Sequence, residues 1–433
     1  MLHSNRFSNT HAIIIAGGLG TRSENPSVPK ILQKIDKRTL LEYQLDALTA
    51  NQIKKATFLL GFGAKEVENE IRHLTKVFPE IEVKIKVDGQ GDNQVTALRK
   101  ALMENLHQDE IGVVILGDVL WCDDIGEDIR ALIASESLAL VLVHPNLHPN
   151  ESDIFYMGAE CSFAKLVAKQ EARVGFQSPT RALTGVFCVK QDSHLYFSNQ
   201  GDDLLQALIR PLFRANKLLI RNTSGYFQDT GTASRLLKAK KDLQSGNLMR
   251  RSSQNKIGIF LDRDGTLVFD VGFPRKNIAS SEILEPVGQA IARSNSMGVP
   301  VFMVTNQPGI AKGRISHEDF LYTQAQIESL LAGHNAIIDD FDYCPHYPHA
   351  GFPDEVSGLK IVCTCRKPAP GMIVNLAKKH RIDLLSSILI GDSLADKRVA
   401  ESLAMNFRKC SYTGEYSSNT ADIINSFLDG LSK

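Results

Sequence analysis

The chain has 433 residues, 43% of them hydrophobic and 23% charged. That is a soluble, globular composition and too much chain for one ordinary core, so two or three domains are expected. Lysine plus arginine equals aspartate plus glutamate at 49 each, and a zero net charge is unlike the basic domain of a dedicated nucleic-acid binder. No apolar run approaches the ~18 residues of a membrane span, and the first one, "AIIIA", is too short for a signal-peptide core. A cytoplasmic protein is expected, with neither nucleic acid nor membrane among its partners.

In chain order, "HAIIIAGGLGTR" is a buried strand followed by a glycine turn. The runs "ATFLLGFG", "IGVVILGDVLW" and "LALVLVHP" repeat that grammar, with helical periodicity between them as in "EVENEIRHLTKVF". The second half starts again with "KIGIFLDRDGTLV" and continues through "VPVFMVTNQ" and "SSILIGDS". Short apolar strands alternating with helices predict two doubly wound α/β domains. The seam falls at "LQSGNLMRRSSQNK", which is polar and without apolar periodicity. The domains are therefore placed at 1–245 and 257–433, with 246–256 as a linker whose arginines are solvated. No internal repeat links the halves.

In the first half, Gly17, Gly18 and Gly20 let backbone N–H groups approach a phosphate, with Thr21 in the same turn. Arg22 and Lys30 add cations suited to a triphosphate losing pyrophosphate. A glycine run alone is a weak signal. The segment "AGGLGTRSENPSVPK" nevertheless resembles the signature of the sugar-1-phosphate nucleotidyltransferases, which implies a GT-A-like fold. On that resemblance Asp118, in "VVILGDVLW", and Asp229, in "GYFQDTGTASRL", match the two Mg²⁺ aspartates. Two features depart from the family. The stretch from Arg22 to Lys30 is compressed, and "GQGDNQVTA" stands where a Gly-Thr-rich turn near the base is usual. The expected nucleotide is GTP, with ATP next, and an inactive scaffold is the alternative reading.

In the second half, Asp262 and Asp264 sit two apart at a strand end and point to the same side. Carboxylate oxygens beside a phosphate suit Mg²⁺. Thr305 and Asn306 end another strand, "CRKPAPGM" carries Lys367, and "ILIGDSLAD" carries Asp392 and Asp396. Strand carboxyl ends gather ligands in open α/β sheets, so these residues are expected to converge.

The four segments, in this order, resemble a haloacid-dehalogenase-superfamily phosphatase with a Rossmann-like fold. The resemblance implies Asp262 as nucleophile, Asp264 as general acid/base, and Thr305 and Lys367 as holders of the phosphoryl group, with Asn306 a further catalytic candidate. It implies Asp262, Asp264 and Asp392 around Mg²⁺, with Asp396 supporting the loop.

Of seven cysteines, Cys122, Cys161, Cys188 and Cys410 are scattered, as small buried residues are. Cys344 and His346 form one two-apart pair, and Cys363 and Cys365 another. A Cys₃His set is a closed, structural zinc site, and its spacing is not that of a finger. It is read as a clamp on the loop leading to Lys367. His349 is read as an exposed bystander. This loop and "TNQPGIAKG" resemble the D-glycero-D-manno-heptose 1,7-bisphosphate phosphatase branch, with the histidinol-phosphate phosphatases as relatives. Arg366 is then a candidate substrate contact.

The leading expectation is a bifunctional enzyme of nucleotide-activated heptose, and so of surface polysaccharide, synthesis, acting on a sugar phosphate and a nucleoside triphosphate. The alternative is a phosphatase of other specificity beside an inactive domain. The oligomeric state is not legible.

Overall fold

A computed structural model describes residues 9–18, 27–87, 93–147, 152–159, 162–168, 178–198, 203–279, 283, 285–411 and 418–431. It divides into two compact units, one of Met1–Val143 with Leu183–Gln244 and one of His144–Ala182 with Ser245–Lys433.

In the first unit, β1 (Thr10–Ala16) lies between β2 (Lys55–Leu60) and β4 (Ile111–Leu116), parallel to both. β2 in turn pairs in parallel with β3 (Glu82–Val87). The order β3-β2-β1-β4 reverses direction between β1 and β4. Ile13, Ile14, Phe58, Val113 and Ile115 have no exposed surface, because a parallel sheet covered on both faces reads as continuous apolar runs. An antiparallel ribbon follows, β5 (Val119–Cys122) against β6 (Tyr226–Asp229), with Val119 opposite Asp229 and Trp121 opposite Phe227. The Trp121 and Phe227 rings stack, 6.4 Å between centroids.

The second unit carries a five-stranded, all-parallel sheet. Its strands are β7 (Ile259–Leu261), β8 (Val301–Asn306), β9 (Asp340–Cys344), β10 (Ile388–Gly391) and β11 (Asn406–Lys409), in the order β9-β8-β7-β10-β11. Here too the order reverses once, between β7 and β10. That reversal opens a crevice at the strand carboxyl ends, the usual ligand position of doubly wound sheets.

Two segments depart from the expected boundaries. Residues 144–182 group with the second unit, where Met157 joins its core and the fully buried Arg181 pairs with Glu328 at 2.9 Å. The stretch expected as a solvated linker forms the helix Asn247–Ser252. Its Arg251 is 8% exposed and bonded to Asp339 at 2.6 Å, while Arg250 donates to the carbonyls of Ser245 and Met297. Sequence polarity suggested solvation here because the anionic partner lies far away in the chain. No described helix is long and apolar enough to cross a membrane.

Candidate active sites

In the first unit, Gly17 follows β1 and packs so tightly on Gly61, at the end of β2, that a Cβ on Gly61 would sit 2.8 Å from the Gly17 carbonyl oxygen. Gly18 faces the Gln94 side chain, at 3.5 Å from a notional Cβ. Asp118 follows β4, across the sheet's reversal from Gly17. Its carbonyl oxygen accepts from both the backbone and the hydroxyl of Thr230, each at 2.8 Å. That contact and the Val119–Asp229 register bring Asp229 beside it.

The carboxylates meet around Gly231. A Cβ there would lie 2.8 Å from Asp229 Oδ1, 3.2 Å from Lys30 Nζ and 3.3 Å from Asp118 Oδ2. Lys30 bonds Asp118 at 2.6 Å, and Arg235 bonds Asp229 at 2.5 Å. Gly20, Thr21 and Arg22, with part of "GQGDNQVTA", lie outside the described residues.

In the second unit, Asp262 follows β7 and Asp392 follows β10, one on each side of the reversal. Their carboxylate oxygens and one of Asp396 lie within 4.8 Å of one another. Gly265, with φ of 79°, makes this approach feasible, since a Cβ would stand 2.3 Å from Asp392 Oδ2. Lys367 is 5% exposed. Its ammonium contacts Asp262 at 2.7 Å, Asp396 at 2.6 Å and the Val304 carbonyl at 2.9 Å. Asn306 fixes Lys367 through two bonds to its backbone, both 3.0 Å.

Burial pushes the Asp262 carboxyl up to about 7; Lys367 opposes this and the Asp396 charge adds to it. Burial and the neighbouring Asp396 raise Asp392 as well. Three carboxylates around one ammonium leave an excess of negative charge. Oxygen donors in that state fit a hard divalent cation.

Asp264, expected among the magnesium ligands, is engaged elsewhere. Arg263 holds both of its oxygens, and Gln307 donates to Oδ2 at 2.9 Å. Asp396, expected as a loop support, is the third member of the cluster. It also caps the helix Leu394–Ser402 through a reciprocal box with Ser393.

Cys344 ends β9. Its Sγ lies 3.5 Å from Cys363 Sγ and 3.7 Å from His346 Nδ1, while Cys365 Sγ is 3.3 Å from Cys363 Sγ and 3.2 Å from His346 Nδ1. Disulfide sulfurs would be ~2.0 Å apart. Zinc–sulfur bonds of ~2.3 Å in a tetrahedron give edges of about 3.8 Å. The four groups therefore fit one zinc ion. His349 is exposed and outside the cluster.

The family model described as Nucleotidyl transferase matches residues 11–246. The chain is also 34% identical over 176 residues to a D-glycero-beta-D-manno-heptose-1,7-bisphosphate 7-phosphatase of Photorhabdus laumondii, covering 40% of this chain and 91% of that protein. The enzyme of the same name from Escherichia coli K12 is 34% identical over 176 residues, with 40% and 90% covered. Among solved structures, a UDP-glucose pyrophosphorylase complexed with UDP-glucose covers 54% of this chain and 98% of its own, at 15% identity and a TM-score of 0.43. The chain belongs to the nucleotidyl transferase family and, through its other half, to that phosphatase family.

Besides Arg366, the phosphatase half gathers cations over two aromatic rings that the sequence did not bring together. Lys312 lies 4.1 Å from the Tyr347 ring and 4.9 Å from that of Phe352. Lys360, Arg314 and Arg366 also stand over these two rings at 5.0–5.7 Å. Burial lowers the Lys312 ammonium, as do the charges of Arg314, Arg366 and Lys360. Glu355 pairs with Lys360 at 3.1 Å. In the transferase half, Arg235 lies just past Asp229 and could have been found as a basic residue on the helix following "DTGT". Arg263 and Gln307 stood inside quoted motifs, but nothing in their spacing gave them a task.

Proposed function

We propose that the chain is a bifunctional enzyme of nucleotide-activated heptose synthesis. The phosphatase half removes the C7 phosphate of D-glycero-D-manno-heptose 1,7-bisphosphate. The transferase half joins the resulting heptose 1-phosphate to a nucleotide, taken from GTP ahead of ATP. One site's product is the other's acceptor.

The observation that carries the reading is the group of cations around Tyr347 and Phe352. Lys312, Arg314, Lys360 and Arg366 gather over these rings, with Glu355 paired to Lys360. Arg366 adjoins Lys367, so a second phosphate on the substrate finds charge compensation there while the first meets Asp262. Histidinol phosphate carries an ammonium group, which such a cluster repels.

In this reading Asp262 attacks phosphorus, and Lys367 and Thr305 hold the transferring oxygens. Asp264 gives the leaving alcohol its proton. Asp262, Asp392 and Asp396 would hold Mg²⁺, which supplies charge neutralisation for the phosphoryl oxygens. Cys344, His346, Cys363 and Cys365 would hold a structural Zn²⁺.

In the transferase half, Gly17 and Gly18 approach the nucleotide phosphates. Asp118 and Asp229 would share Mg²⁺, and Lys30 faces the triphosphate. Incubating the protein with the heptose bisphosphate and each nucleoside triphosphate, then weighing the products by mass spectrometry, tests both halves. Phosphate release without a nucleotide sugar would leave only the phosphatase. No release from the bisphosphate would remove the reading.

A further inference from the structure

Within the phosphatase half, Gln307 is 4% exposed, and its side-chain amide is committed to two neighbours. Its Nε2 donates to Asp264 Oδ2 and to Thr305 Oγ1, both at 2.9 Å. Its backbone N–H is bonded to the carbonyl of Cys344 at 2.8 Å, which ties it to the end of β9. Arg263, the other partner of Asp264, is 2% exposed and its guanidinium stands 5.5 Å from the Phe320 ring. It bonds Asp264 Oδ2 through Nε at 3.1 Å and Nη2 at 2.9 Å, and Oδ1 through Nη2 at 3.0 Å.

We propose that Gln307, acting with Arg263, is a positioning residue that makes Asp264 Oδ1 the oxygen that carries the proton. This rests on the phosphatase reading and assigns within it a task to a residue not yet given one. A carboxylate oxygen accepts through two lone pairs. Those of Oδ2 are taken by the guanidinium and the Gln307 amide, so a proton there would face two donors. Oδ1 keeps a lone pair open. The same amide anchors Thr305, so the acid and a phosphoryl-holding group are fixed by one side chain.

An Asp262 oxygen forms a bond to phosphorus, the bond from phosphorus to the leaving oxygen breaks, and that oxygen takes the proton from Asp264 Oδ1. A water then gives Asp264 a proton as its oxygen displaces Asp262 from phosphorus.

The leaving group supplies the test. 4-Nitrophenolate departs without a proton, whereas the alkoxide of a primary alkyl phosphate needs one. Single-turnover phosphorylation rates of the full-length protein are measured with both esters for wild type, Gln307→Met and Gln307→Glu. General acid catalysis contributes ~10²–10⁴-fold, so misplacing the acid is expected to slow the alkyl ester at least ~10-fold more than the nitrophenyl ester. Two near-isosteric variants guard against one that misfolds. Equal losses with both esters, the signature of a purely structural role, overturn the inference and leave the phosphatase reading intact. A wild-type protein that forms no phosphoenzyme with either ester or with the heptose bisphosphate overturns both.

Discussion

The ammonium of Lys367 stands 2.7 Å from Asp262 Oδ1 and 2.6 Å from Asp396 Oδ1, so one buried cation ties the segment after the zinc-type cluster to the end of β7 and to the helix Leu394–Ser402. Burial works against its charge, and the two carboxylates more than offset that, leaving its pKa raised. Asp262 is the one of the pair at a strand end facing the crevice. Changing Asp262→Asn keeps its size and removes the attacking charge. Phosphate release is expected to fall below detection, while pyrophosphate release from a supplied sugar 1-phosphate continues. Retained phosphatase turnover would show that another group attacks phosphorus.

Much of this site was legible because its residues end apolar strands. A run such as "KIGIFLD" announces a buried parallel strand, and a parallel sheet leaves its functional groups at carboxyl ends. The zinc-type cluster was legible on different grounds, since thiols and an imidazole in two close pairs are a soft donor set made for a metal. What stayed hidden were partnerships across the chain. Arg251 reads as linker until Asp339 is beside it. Gln307 reads as any polar residue until Asp264 and Thr305 flank it. The Lys312 group reads as scattered surface charge until Tyr347 and Phe352 gather it.

The purified protein is expected to carry about one zinc per chain, and Cys363→Ser with Cys365→Ser to lose it. In zinc-finger peptides such a site contributes ~10–16 kcal/mol, so the loop between His346 and Cys363 should loosen. Cys344 also accepts from the Gln307 backbone, and Cys365 is two residues before Lys367. Phosphatase activity should therefore drop with the metal, while nucleotidyl transfer does not. Elemental analysis finding no zinc in wild-type protein would refute the metal, and full activity in a zinc-free protein would refute its structural role.

His380 gives the stability a pH dependence of known sign. Its Nε2 bonds Asp340 Oδ2 at 2.7 Å, and its Nδ1 is buried without a hydrogen-bond partner. Burial lowers it from the ordinary 6.5, Asp340 opposes this, and Lys379 and Lys256 reinforce it. The unfolded chain thus takes a proton near pH 6.5 that the folded chain refuses. This contribution is full above that pH and is lost as pH falls toward the folded value, by up to ~1.4 kcal/mol per pH unit. His380→Asn removes the titration. Urea midpoints between pH 6.5 and 4.5 should fall less steeply in the variant, and an unchanged slope would mean that His380 is already protonated in the folded state.

The transferase site has its own requirement. Asp118 and Asp229 lie on neighbouring strand ends around Gly231, each already matched by a cation, Lys30 on one and Arg235 on the other. Two carboxylates so placed could hold a divalent ion, which would supply charge neutralisation for the phosphates beside Lys30. Losing either carboxylate leaves the ion half-held and removes several kcal/mol of charge stabilisation. Asp118→Ala and Asp229→Ala are each expected to lower pyrophosphate release at least ~10²-fold. Phosphate release should stay at the wild-type rate, because its own cluster of Asp262, Asp392 and Asp396 is untouched. The measurement uses heptose 1-phosphate with each nucleoside triphosphate in turn. No pyrophosphate from wild-type protein with any of them would mark the transferase half as an inactive scaffold. Release that survives both substitutions would place the metal on other residues.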